Sequence, residues 1–114
     1  MDKAIQDKSF QFAVRIVNLY KFMRTGNQEY VLSKQLLRCG TSIGANIAEA
    51  QQAQSKADFI SKMSIALKEA NETDYWLRLL YATQFLPEKA YSSILSDCNE
   101  LQKLLTAIIK SAKI

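Results

Sequence analysis

The chain has 114 residues, 48% of them hydrophobic, which is enough to bury a core as a single domain with no disulfide or metal holding it. Three glycines and one proline are too few for the turns of a β-sandwich or barrel, and the lack of any histidine removes the commonest general base and metal ligand. The formal net charge is +4, unevenly placed: from Lys8 to Gln28 there are four bases, Lys8, Arg15, Lys21 and Arg24, and no acid.

The opening residues, Met-Asp-Lys-Ala-Ile-Gln-Asp-Lys, contain no apolar stretch of the kind a signal peptide needs. No run of about 18 apolar residues is present to span a bilayer. The expectation is a cytoplasmic chain with no membrane partner. Cys39 and Cys98 have no CxxC spacing and are expected to be reduced, small core residues.

The first periodic segment runs over residues 9–24. Ser9 reads as an N-cap, and Gly26 with Asn27 as a stop. Phe12, Ile16, Leu19, Tyr20 and Met23 share one helical face, and Phe10, Ala13, Val14 and Val17 widen it. A helix this apolar is expected to touch neighbours on more than one side.

The second segment spans residues 28–52. Leu32, Leu36, Cys39, Ile43 and Ile47 step by four, three, four and four, which is a bundle seam. The stretch "LRCGTSIGANIAEA" carries that seam unbroken, so its glycines fall inside a helix, where each costs about 1 kcal/mol relative to alanine. Gly40, Gly44 and Ala48, each four residues apart, form a smooth ridge. That ridge is expected to admit close packing by another backbone.

The third segment covers residues 55–83. Ser55 with Asp58 three positions on is a variant capping box. Phe59, Met63, Ala66, Leu67, Ala70, Leu77 and Leu80 mark its buried side. Pro87, in "FLPE", suits the first turn of the fourth segment, residues 88–112. There Tyr91, Ile94, Cys98, Leu101, Leu105, Ile108 and Ala112 alternate steps of three and four, with Leu95, Leu104 and Ile109 as a second apolar flank. Four helices joined by short connections predict an all-α, antiparallel up-down-up-down four-helix bundle.

Signs of catalysis are scarce. The cysteines and carboxylates show no zinc spacing, and a di-iron bundle needs histidines that are absent. "GTSIG" lacks the lysine and the preceding strand of a phosphate loop. The serine in "TSIGA" has no partner base in view. The expectation is therefore no catalytic residue, no metal, no cofactor and no enzyme.

One polar constellation stands out. Arg38, Ser42, Asn46 and Glu49 form a stripe beside the glycine ridge. Antiparallel pairing would bring Arg38 near Asn71 and Glu72, with Glu69 and Trp76 close by. This is either an interhelical network that fixes register or a pocket facing a ligand or nucleic acid. Tyr75, Trp76 and Tyr81 are expected to pack in a core or interface, with base stacking as the alternative.

The runs "LLRCGTSIGANIAEA" and "KADFISKMSIALKEANETDYWLRLL" resemble the bacterial four-helix-bundle proteins encoded in 23S rRNA intervening sequences. Arg38, Ser42, Ile43, Asn46, Ile47, Ala48 and Glu49 match that family's second-helix motif, with Ala50 where glycine is usual. Phe59, Ala66 to Ala70 and Glu72 to Leu77 match its third-helix motif, with Asp74 in place of glutamate. The resemblance spans roughly residues 9 to 112. It implies a homo-oligomer, a pentameric ring with a central channel, and a relation to the nucleic-acid-binding accessory proteins of diversity-generating retroelements.

Two features agree with that implication. The first and fourth segments carry more apolar surface than one bundle requires, which suits subunit interfaces. Several copies of a +4 chain would attract RNA or DNA without reading sequence. The function expected is a non-enzymatic, self-associating scaffold binding nucleic acid through Lys8, Arg15, Lys21 and Arg24. A solvated helix face explains the same charge equally well. The alternative function is an accessory module that docks another protein and has no direct nucleic-acid role. An enzyme using Arg38, Asn46, Glu49 and Glu72 ranks last.

Overall fold

The structure, a computed structural model, describes residues 3–26 and 28–114. Among these residues there are four helices and no strand: α1 (Lys3–Thr25), α2 (Leu32–Ala50), α3 (Lys56–Ala82) and α4 (Glu88–Ala112). The fold is all-α, and its extents of 44 × 20 × 19 Å are those of a short rod of parallel axes.

Side-chain pairings fix the direction of each helix. Gly40 meets Ile16 and Gly44 meets Ser9, so α2 descends as α1 rises. Arg38 reaches Glu69 and Glu72 while Glu49 reaches Lys62, which reverses α3 on α2. The Cys98 thiol donates to the Ala70 carbonyl, and the Tyr81 and Tyr91 rings stack 4.2 Å apart, so α4 reverses on α3. Lys8 and Arg15 bond Glu100 and Asp97, closing α4 back on α1. Each helix thus packs on its neighbours in the chain, and the circuit is antiparallel throughout.

α1 begins six residues before the expected start. Ser9 is no N-cap: it is buried inside the helix, and its hydroxyl donates to the Gln6 carbonyl at 3.1 Å. The physical reason is the buried run Ile5, Ser9, Phe12, Ile16, which keeps helical spacing through a small polar residue. The helix ends at Thr25, just before Gly26, as expected; Asn27 lies outside the described residues.

α2 starts at Leu32 rather than at residue 28. Gln28 sits in the left-handed region (φ 55°), which a helix interior does not allow. The N-terminus of α2 is capped instead by Glu29, a role its sequence gave no sign of. Its carboxylate accepts from the backbone N–H of Val31 and Leu32, both at 3.0 Å, and of Ser33 at 2.6 Å. Those amides would otherwise lack partners.

Ser55 does cap α3, accepting from the Asp58 amide at 3.0 Å. The Asp58 carboxylate accepts from the amide of Gln54, one residue before the usual partner of a capping box. Pro87 stands just ahead of α4 rather than within its first turn.

The core holds Phe12, Ile16 and Met23 of α1, Leu36, Ile43 and Ile47 of α2, Met63, Leu77 and Leu80 of α3, and Leu101 and Leu105 of α4. Near the end of α4 the buried position is Ile109, not Ile108, because a straight helix drifts off a strict seven-residue repeat. Leu95 and Leu104 pack against the core, so the second flank of α4 is closed and offers no broad apolar face. α1 differs, leaving Phe10, Val14 and Phe22 exposed.

Candidate functional site

The small-residue face of α2 turns towards α1. A Cβ built on Gly40 would stand 2.8 Å from Ile16 Cγ1, and one on Gly44 would stand 3.2 Å from the Ser9 carbonyl oxygen. Both glycines therefore give α1 its close approach. Ala48 does not extend this contact, because it is exposed. It borders a groove of about 430 Å³ between α1 and α2, which Gln6, Phe10, Ala13, Gly44 and Ala45 also line. Phe10 is 65% exposed on its rim.

The four expected cations of α1 divide into two pairs. Lys8 Nζ lies 2.9 Å from Glu100, and Arg15 lies 2.5 Å from Asp97 while also bonding the Ser93 hydroxyl. These two are neutralised by acids of α4, which a count along the chain cannot see. Lys21 and Arg24 are exposed and make no ion pair among the described residues. The Arg24 guanidinium lies over two rings, 5.5 Å from the centre of Tyr20 and 5.6 Å from that of Tyr30. Lys34, in the first turn of α2, is a third exposed cation at this end.

The expected polar network on α2 is smaller than its stripe. Arg38 bridges Glu69, at 3.2 Å, and Glu72, whose carboxylate also accepts from the Trp76 indole at 2.9 Å. Ser42 and Asn46 do not join it. Their side chains donate to carbonyls of their own helix, Arg38 at 2.7 Å and Ser42 at 2.8 Å. Glu49 pairs separately with Lys62. Trp76 and Tyr75 meet edge to face, and Trp76 is half-buried against the core.

Two buried thiols complete the chemistry-bearing groups. Burial pushes Cys39 up to about 11 and Cys98 up to about 12. Both are free, not disulfide-bonded. Among the described residues no cluster of three or more His, Cys, Asp or Glu has the arrangement of a metal site, and no helix is long and apolar enough to cross a membrane.

The family model for the 23S rRNA-intervening sequence protein matches residues 1–107. The chain belongs to that family. A crystal structure of a protein of unknown function from the S23 ribosomal protein family of Bacteroides thetaiotaomicron VPI-5482 is 62% identical to it. The two superpose with a TM-score of 0.92, covering 93% of this chain and 98% of that one. No curated protein matches. In this member of the 23S rRNA-intervening sequence family, the two motifs fall on facing helices. Ile43 and Ile47 fill the core, and Arg38 ties α2 to Glu69 and Glu72 of α3. Of the second-helix motif, Arg38 and Glu49 make ion pairs to α3, while Ser42 and Asn46 bond within α2 and Ala48 borders the α1–α2 groove.

Proposed function

We propose that the chain is a non-enzymatic, self-associating helical bundle of the cytoplasm that binds nucleic acid electrostatically. One observation carries this reading. Between Lys8 and Ala48 the only acid is Glu29, and it is buried with its oxygens on backbone amides, while Lys21, Arg24 and Lys34 stand exposed. A surface whose cations lack counter-charges of its own suits a phosphate backbone. The binding residues proposed are Lys21, Arg24 and Lys34, with Lys8 and Arg15 in a lesser role because α4 already pairs them.

Self-association is assigned to the strip of Phe10 and Val14 beside the groove, which a second copy would cover. Five copies in a ring is the arrangement the family resemblance favours. Affinity for RNA measured against salt tests the nucleic-acid reading, and a flat response removes it.

The same strip supports a second reading, in which another protein docks there and nucleic acid plays no direct part. A complex with a cellular protein that survives nuclease and is lost with Phe10→Asp would favour it.

A further inference from the structure

The turn between α1 and α2 combines rings and charge in a way a general polyanion surface does not need. Tyr20 and Arg24 are one helical turn apart on α1, and the Arg24 guanidinium donates to the Tyr20 hydroxyl at 2.9 Å. The same guanidinium lies over the ring of Tyr30, brought back by the turn, and Tyr30 is 47% exposed. Arg24 therefore contacts both rings and limits their motion before any ligand arrives. Nothing of the core requires this: Tyr30 precedes α2, and Val31 next to it is 72% exposed.

The charge around these rings is positive. Lys21 follows Tyr20 on α1, Lys34 comes four residues after Tyr30, both are exposed, and the acid between them, Glu29, is turned inward onto α2. At the same end of the bundle, α3 and α4 bring the Arg78–Asp74 ion pair with Glu88 and Lys89, which sum to zero.

We propose that Tyr20, Arg24 and Tyr30 form a stacking platform that makes this corner selective for single-stranded nucleic acid. This rests on the electrostatic reading above and names its ligand class. The cations hold the phosphates, and the half-exposed ring of Tyr30 takes an unpaired base. A duplex keeps its bases stacked on one another and offers only phosphates to the same surface.

The test uses the intact chain, a labelled unstructured oligouridylate and a duplex of the same length. A second single strand carries a fluorescent adenine analogue that is quenched on stacking. The wild-type protein should prefer the single strand and quench the analogue. Tyr30→Ala should weaken single-strand binding on the order of tenfold, abolish the quenching and leave duplex binding unchanged. Tyr30→Phe should retain both single-strand signals. Lys34→Gln should weaken single strand and duplex alike. Thermal unfolding of each variant verifies that an exposed side chain was changed without loss of the fold. Equal affinity for both forms, or unaltered quenching by Tyr30→Ala, overturns the platform and leaves the electrostatic reading standing. Binding to neither form overturns both.

Discussion

Gly40 faces Ile16 with no room between them: a Cβ on Gly40 would meet Ile16 Cγ1 at 2.8 Å and Cγ2 at 2.9 Å. These are atoms at the branch of a fully buried side chain, so they cannot swing aside. Gly40→Ala would gain about 1 kcal/mol of helix propensity but incur about 1–3 kcal/mol of overpacking. The expected sum is a net loss of stability, read from urea denaturation. Ile16→Ala should reduce that loss when the two changes are combined, because it removes the clashing atoms. Gly44→Leu should be worse, since its neighbour is the Ser9 backbone, 3.2 Å from the first added carbon.

Glu29 supplies a pH-dependent prediction. Burial acts to raise its carboxyl, but the amides of Leu32, Ser33 and Val31 outweigh it and hold the group below its ordinary value of 4.5. A group depressed in the folded state stabilises it above the unfolded value, and that contribution is lost as pH falls through the folded one. The wild type should therefore lose stability as pH drops below 4.5. Glu29→Gln should be weaker at neutral pH by about 0.5–2 kcal/mol, the usual worth of an N-terminal cap, and should decline less on acidification. Thermal unfolding across pH values measures both.

The seams of α2, α3 and α4 could be read from the chain because apolar spacing reports directly which face is buried. Leu36, Ile43, Ile47, Met63, Leu77 and Leu101 all lie where their periodicity placed them. The glycine ridge was legible for the same reason at Gly40 and Gly44. Ala48 was not, because spacing along one helix does not tell how far its neighbour extends the contact. Ser9 misled for another reason: a serine ahead of an apolar run looks the same as a cap and as a small residue under a glycine. The pairing of Lys8 with Glu100 and of Arg15 with Asp97 joins residues far apart in sequence, so the charge of α1 looked freer than it is.

That pairing separates the cations by function. Arg15 and Asp97 are 39% and 46% exposed at the side chain, and a bridge of that kind contributes roughly 0–1 kcal/mol. Arg15→Gln should leave both stability and RNA affinity close to wild type. Lys21→Gln with Lys34→Gln should weaken RNA binding and lower the slope of log affinity against log salt by about 2, near one for each cation removed. Fluorescence anisotropy over a salt series checks this.

The thiols should be silent in the folded protein. With Cys39 at about 11 and Cys98 at about 12, almost no thiolate exists near neutral pH, and both sulfurs are buried. A colourimetric thiol reagent should find no reactive cysteine in the native state and both of them in urea.

Phe10 tests the assembly. Phe10→Asp puts a charge on the strip proposed to face a second copy, so it should lower the native mass towards that of one 12.9 kDa chain. The fold should survive, because Phe10 is 65% exposed in the single chain. Native mass spectrometry with circular dichroism reads both.

The most direct test of the account is the affinity of the nuclease-treated wild-type protein for an unstructured RNA across a salt series. Binding is expected at low salt, with the logarithm of affinity falling linearly as the logarithm of salt rises. No binding at low salt, or an affinity indifferent to salt, would contradict it.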